Sequence, residues 1–149
     1  MLIESRVSSD PELAALMAAQ QRELREAGGG LDARVFLPYD DARYLVGVLG
    51  GRAVACGALQ ALDRETAEIK WMYVRPAHRG QGLARQILGA LEELALRSGH
   101  TVLRLETGSH LPGAIQLYLS SGYAEIPVYG AYVDNPYSIC FEKRLPVLA

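Results

Sequence analysis

The sequence is poor in cysteine, with only Cys56 and Cys140 among its 149 residues. The two lie far apart, each within an apolar stretch typical of a β-strand. A disulfide-stabilised scaffold or a zinc knuckle needs more cysteines at closer spacing, so this composition argues against both. We therefore expect two buried free thiols that serve packing, and no metal site.

The sequence also lacks a long apolar run and an excess of basic charge. No apolar segment approaches the ~18–20 residues that a membrane-spanning helix requires. The first residues do not show the basic start and apolar centre of a signal peptide. Lys and Arg number 15 against 17 Asp and Glu, a net charge of -2, and no basic cluster could neutralise a run of phosphates. We expect a cytoplasmic protein without a membrane or nucleic-acid partner.

Hydrophobic residues, by contrast, are plentiful, at 50% of the chain against 21% charged residues. This balance is typical of a globular protein. A length of 149 residues corresponds to one domain of ordinary size. We predict a single domain, residues 1–149, that folds around one core.

Strand-like and helix-like patterns alternate along the chain. Gly50 and Gly51 suit a tight antiparallel hairpin between two strands, and residues 31–41, which follow no period, are predicted to be a loop or a short irregular helix. The predicted strands are 2–7, 44–49, 53–62, 67–74, 101–106 and 138–144, and the predicted helices are 11–27, 83–99 and 112–120. An early hairpin followed by strand–helix–strand units predicts an α/β (α+β) fold, a sheet covered by helices.

The segment after the strand at 67–74 has the features of an anion site. A glycine-containing loop leads directly into the start of an amphipathic helix, where backbone N–H groups have no partner within the helix and the helix dipole is positive. Gly80 and Gly82 allow the backbone to approach a phosphate closely, and Arg79 adds positive charge. No Gly-Lys-Ser/Thr follows, and the third glycine of a dinucleotide fingerprint is absent. The pattern favours a pyrophosphate and disfavours a kinase-type loop.

Two motifs in this half of the chain resemble a known family. Residues 74–84, which read VRPAHRGQGLA, resemble motif A of the GCN5-related N-acetyltransferases, whose Arg/Gln-x-x-Gly-x-Gly/Ala core is matched by Arg79, Gly82 and Ala84. Residues 103–107 (LRLET) and 114–123 (AIQLYLSSGY) resemble motif B of the same family. The resemblance covers residues 43–123 well and the rest only by the order of elements.

The resemblance implies a mixed, mostly antiparallel sheet whose central strands, 67–74 and 101–106, splay apart to admit acetyl-CoA as co-substrate. In such proteins the pantetheine arm pairs with the first splayed strand and the pyrophosphate lies on the amides of the glycine loop. The implied contacts fall on Met72, Tyr73, Val74, Arg79, Gly80, Gln81, Gly82, Leu83 and Ala84. Leu111 departs from the pattern, since many members carry asparagine there.

Acetyl transfer to an amine needs a neutral nitrogen, and an amine of pKa ~10.4 is neutral in only about one molecule in 2,500 at pH 7. A carboxylate that acts through water could remove the proton. Glu68 matches the base of histone-acetylating members, while Glu106 at the end of the other splayed strand could share or replace that role. Tyr118 aligns with the tyrosine that protonates the departing thiolate. A solvated glutamate and a packed tyrosine remain the structural alternatives.

The predicted function is therefore direct transfer of acetyl from acetyl-CoA to an amine acceptor, a small molecule or a protein amine. A CoA-binding sensor or structural module with the same fold is the alternative, and a nucleotide-binding regulator is a second. Four tyrosines cluster near the last strand, where they could form an acceptor pocket, an aromatic sheet edge or a homodimer contact: Tyr123, Tyr129, Tyr132 and Tyr137.

Overall fold

A computed structural model describes residues 1–27 and 41–146. The strands are β1 (Leu2–Arg6), β2 (Arg43–Leu49), β3 (Arg52–Ala61), β4 (Thr66–Val74), β5 (Val102–Gly108), β6 (Ala124–Ile126) and β7 (Ser138–Arg144). The helices are α1 (Pro11–Ala27), α2 (Leu83–Arg97) and α3 (Pro112–Ser120), with short 3₁₀ turns at Pro76–His78 and Gly130–Tyr132. Every strand and helix predicted from the sequence is present, and β6 is an addition. The loop predicted for 31–41 lies outside the described residues, except for Asp41.

The strands form one sheet in the order β1-β2-β3-β4-β5-β7-β6. Its neighbours are antiparallel except β4 and β5, which run parallel. The predicted hairpin joins β2 to β3, and Gly50 and Gly51 both adopt the positive φ that such a turn requires. The expected mixed, mostly antiparallel sheet is confirmed.

The two parallel strands at the centre stay paired over only part of their length. Their register runs from Thr66 opposite Val102 to Ile69 opposite Leu105, and no pairing follows beyond that point in the described sheet. Just past the last pair, Trp71 adopts a φ of 59° and the register of β4 against β3 shifts. An extra residue of this kind bends a strand. The predicted splay is therefore confirmed, and it opens between β4 and β5.

Each face of the sheet carries its own hydrophobic cluster. Helices α2 and α3 cover one face, where Ile87 and Leu91 pack with Ile69, Leu105 and Phe141. Helix α1 covers the other face, and its cluster is Leu13, Leu16, Met17, Ala19, Tyr44, Val46, Ala53, Cys56, Ala58 and Tyr73. Cys56 and Cys140 are buried and free, as the sequence predicts.

Gly57 sets the distance between α2 and the sheet. A Cβ at this position would lie 2.8 Å from Ile87 Cγ2 and from Leu91 Cδ1, and 2.9 Å from Met72 Sδ. Only a glycine leaves room for these side chains against β3. The close approach packs Ile87 and Leu91 of α2 directly against β3.

Candidate active site

A cleft with a volume of about 190 Å³ opens where β4 and β5 diverge. Its walls come from both splayed strands, from α3 and Leu111 before it, from α1 and from the 3₁₀ turn before β7. The side chains that matter for the argument below are Gln20, Lys70, Trp71, Met72, Glu106, Tyr118 and Tyr132. Residues up to 112 positions apart in sequence therefore meet in one cleft, Gln20 and Tyr132 being the most distant of this set.

The glycine loop ends at the N-terminus of α2. Gly80 and Gly82 have φ values of 78° and 79°, and a Cβ at either position would meet nothing within 4 Å. Helix α2 starts at Leu83 with Gly82 as its N-cap, and the N–H of Gln86 donates to Gly82 O at 3.2 Å. The N–H groups before Gln86 have no carbonyl within the helix to bond. The loop is therefore exposed, with backbone N–H groups that remain available to an anion.

The side chain of Arg79 forms a hydrogen bond and an ion pair within the protein. Its Nε donates to Val74 O at 2.8 Å, and its Nη2 forms an ion pair with Glu23 Oε1 of α1 at 2.8 Å. Tyr73 also donates its hydroxyl to Glu23. Burial would raise the pKa of Glu23, yet the bonds from Tyr73 and Arg79 outweigh it and lower that pKa. The charge of Arg79 is thus paired with Glu23, and the anion site depends on backbone amides.

The backbone of β4 presents an open edge to the cleft. Arg75 N donates to Val54 O of β3 at 2.9 Å, and the peptide bonds of the described residues, this one included, are trans. The carbonyl of Val74 therefore points the opposite way, towards the gap between β4 and β5, and by strand alternation so does that of Met72. Tyr73 turns its backbone to β3 instead. The edge that could pair with an extended ligand belongs to Met72 and Val74.

Tyr118 of α3 and Glu106 of β5 both line the cleft. The tyrosine is 5% exposed and packs against the rings of Tyr123 and Phe141. Burial raises the pKa of Tyr118, and the negative charge of Glu106 adds to that shift, so the hydroxyl is protonated at neutral pH. Ser138 Oγ donates to Glu106 Oε2 at 2.6 Å. The arrangement offers a proton donor and a carboxylate in one space.

Glu68 lies on β4 just before the splay and is only 3% exposed. Its carboxylate accepts hydrogen bonds from the hydroxyls of Tyr129 and Tyr132 and forms an ion pair with Lys70 Nζ at 3.1 Å. Burial raises the pKa of both tyrosines, and the neighbouring carboxylate contributes. Lys70 and Tyr132 line the cleft, and Glu68 is not among the described residues that line it.

The comparisons with known proteins agree with this geometry. The sequence profile of the Acetyltransferase (GNAT) family matches residues 13–123, about three quarters of the chain. The chain belongs to the GNAT family. Members of this family are acetyl-CoA-dependent N-acyltransferases, so the predicted family, enzyme class and co-substrate are confirmed.

Several GNAT relatives have been named or solved. An IAA acetyltransferase from Azospirillum brasilense is 38% identical over 107 residues, 70% of this chain and 69% of that protein. The N-acetyltransferase YsnE of Bacillus subtilis is 36% identical over 98 residues, which cover 64% of this chain and 65% of that protein. These matches span about two thirds of the curated relatives' length.

Two solved structures illustrate the shared GNAT fold. A Klebsiella pneumoniae chain described as an acyl-CoA N-acyltransferase has a TM-score of 0.83 and 35% identity, with 97% of each chain covered. A GNAT acetyltransferase from Elizabethkingia anophelis, solved with acetyl-CoA bound, has a TM-score of 0.73 and 18% identity, also over 97% of each chain. The second likeness concerns the fold alone.

This GNAT chain has cleft residues that sequence reasoning did not single out. Gln20 and Lys70 carry no motif signal, and Tyr132 was part of a tyrosine cluster whose role the sequence left open. Leu111, which replaces the asparagine of many GNAT proteins, also lines the cleft. In the described ranges, 1–27 and 41–146, no helix is long and apolar enough to cross a membrane, and no group of side chains could hold a metal ion.

Proposed function

We propose that this GNAT protein transfers acetyl from acetyl-CoA directly to an amine that enters the cleft between β4 and β5. The observation that carries the proposal is that Tyr118 and Glu106 line one cleft together with residues of β4, the strand that leads into the glycine loop and α2. The thioester supplies the acetyl group. The chain's own residues hold the CoA, remove a proton from the amine and return one to the thiolate.

Glu106 is the proposed base. Deprotonating an amine of pKa ~10.4 at pH 7 costs about 4.6 kcal/mol, and a carboxylate at the cleft can accept that proton directly or through one water. Glu106 lines the cleft that the amine enters, whereas Glu68 is not among the lining residues and is only 3% exposed. We assign the base to Glu106 in preference to Glu68, and we give Glu68 the role of holding Tyr132 at the cleft wall.

Tyr118 is the proposed acid. A buried phenol stays protonated at neutral pH, so its proton is available to the thiolate that forms as the C–S bond breaks. Its ring is fixed by Tyr123 and Phe141, so its hydroxyl needs little reorganisation before it donates.

The proposed site for CoA combines the glycine loop and the edge of β4. The residues of the loop, 79–84, would hold the pyrophosphate on backbone N–H groups, and the splayed edge at Met72 and Val74 would lie along the pantetheine arm. The positive φ and open Cβ positions of Gly80 and Gly82 support this assignment.

The test measures binding and turnover separately. We expect acetyl-CoA and CoA, but not ATP, to raise the melting temperature, because a ligand at 100 times its Kd stabilises the folded state by about 2.7 kcal/mol. Release of free thiol from acetyl-CoA is then followed with amino acids, spermidine, an aminoglycoside and a peptide with a free N-terminus and a lysine. We expect thiol release with an acetylated product for one of these classes. Stabilisation by CoA without turnover of any amine would favour the sensor, and stabilisation by ATP alone would favour the nucleotide regulator.

A further inference from the structure

Both carbonyls on the open edge of β4 already accept hydrogen bonds from side chains. Arg79 Nε donates to Val74 O at 2.8 Å, and Gln20 Nε2 of α1 donates to Met72 O at 2.9 Å. One of the two acceptor positions on each carbonyl is therefore already used before a ligand lies along this edge. A nearby oxygen without any partner would gain more from an N–H group of the ligand than either carbonyl would.

Gln20 provides an oxygen of that kind. Its Oε1 is buried and has no hydrogen-bond partner within residues 1–27 and 41–146, and the side chain lines the cleft. A buried carbonyl oxygen without a partner is unfavourable, and native proteins seldom keep one without a reason. The amide of Gln20 is thus fixed at one end by the strand and unsatisfied at the other.

The pantetheine arm of CoA has the complementary chemistry, since it contains two amide groups, each with one N–H donor. We infer that Gln20 Oε1 accepts a hydrogen bond from a pantetheine N–H, so that the Gln20 side chain extends the edge of β4 by one amide. Gln20 is then a specificity-determining residue for the CoA arm that sequence motifs do not reveal. The inference depends on the proposed function, which puts CoA in this cleft.

The test compares two ligands that differ only in the arm. CoA carries pantetheine, whereas 3′-phosphoadenosine 5′-diphosphate retains the pyrophosphate and the nucleotide without it. Dissociation constants of both are measured by calorimetry for wild type, for Gln20→Met and for Gln116→Met. Gln116 is an exposed glutamine of α3 and provides the matched control.

We expect Gln20→Met to weaken CoA binding by about two- to tenfold, the usual contribution of one hydrogen bond, and to leave the affinity of the nucleotide fragment unchanged. Gln116→Met should alter neither. In NMR spectra of wild type, the side-chain N–H₂ signals of Gln20, identified by their loss in Gln20→Met, should shift with CoA and not with the fragment.

Other results would overturn the inference. If Gln20→Met binds CoA as tightly as wild type, Gln20 makes no contact with the arm. If its CoA affinity is unchanged while the KM for the best amine of the panel rises, the oxygen binds the acceptor's N–H instead. A wild-type protein that binds neither CoA nor the fragment contradicts the proposed function itself, which separates that failure from failure of the inference.

Discussion

The hydroxyl of Tyr118 can be removed without disturbing its ring. Tyr118→Phe keeps the contacts with Tyr123 and Phe141, so the fold and CoA affinity should be preserved. If the hydroxyl protonates the thiolate, the chemical step should slow by about 10²–10⁴-fold. Single-turnover acetyl transfer measures this rate, with the exposed Tyr137→Phe as control. A rate within a few-fold of wild type would leave Tyr118 as a packing residue.

Substitution of Glu106 and of Glu68 should change the pH profile of kcat/KM in different ways. Glu106→Gln should lower kcat/KM by about 10²–10⁴-fold at neutral pH. The activity of this variant should recover as the pH approaches the pKa of the amine, because the amine then deprotonates unaided. Glu68→Gln should raise the acceptor KM, because Tyr132 loses an anchor, and keep the shape of the pH profile. Profiles of kcat/KM for both variants measure the difference, and the reverse pattern would assign the base to Glu68.

The sequence alone could point to a residue of the candidate site only where that residue belongs to a recognisable motif. Tyr118, Glu106 and the glycine loop lie in stretches with a recognisable pattern. Gln20 and Tyr132 reach the cleft from α1 and from the turn before β7, and no local periodicity reports such a long-range contact. Likewise, the sequence shows a strand glutamate at Glu68 but does not show that two tyrosines and Lys70 surround its carboxylate.

The start of α2 can be tested with two glycines of equal conformation. Gly82 and Gly51 both have a φ of 79° and open space around a Cβ. Valine at either position should therefore cost a similar free energy of unfolding, about 1–3 kcal/mol. Only Gly82→Val should abolish CoA binding, because its side chain takes the space beside the helix amides. Calorimetry and melting curves measure the two effects, and equal CoA affinity in both variants would contradict the pyrophosphate site.

The contact between α2 and the sheet predicts that two glycine-to-alanine substitutions change the free energy of unfolding in opposite directions. Gly57→Ala pushes a Cβ against Ile87, Leu91 and Met72, and overpacking of this kind costs about 1–3 kcal/mol. Gly89 lies on the exposed side of α2, where a Cβ would meet nothing within 4 Å. Because alanine favours a helix more than glycine does, Gly89→Ala should raise the free energy of unfolding by up to about 1 kcal/mol. Denaturant unfolding measures both. A destabilised Gly89→Ala or a neutral Gly57→Ala would contradict this packing.

Most elements were predictable because their signals are local. Helix α1 begins where Asp10 Oδ2 accepts from Leu13 N at 3.0 Å, the cap that the sequence indicates. Strand β6 was missed because three residues are too few to establish an alternation. The splay was predicted only from the family resemblance. Its cause is the bulge at Trp71, which does not change the hydrophobic pattern of the sequence.

At the scale of the whole molecule, acid should unfold the protein by protonating carboxylates that anchor α1. Arg6 pairs with Asp10 and Glu12, and Glu12 also accepts from Ala53 N. Backbone hydrogen bonds, followed by Arg6, lower the pKa of both carboxyls. A lowered folded-state pKa gives stability that is present above the unfolded pKa of about 4 and lost below it. Melting temperatures should fall below about pH 4.5, less steeply in Glu12→Gln, and an unchanged slope would contradict this role.

The bulge in β4 also gives the protein an optical property. Trp71 is the single tryptophan of the chain, among eight tyrosines, and it lines the cleft at the point where β4 bends. Excitation at a wavelength that tyrosine does not absorb therefore excites Trp71 alone. The emission wavelength and quenching of its indole report the polarity of the cleft. Ligand entry can be followed by intrinsic fluorescence in the unmodified protein, without a label and before any acceptor is known.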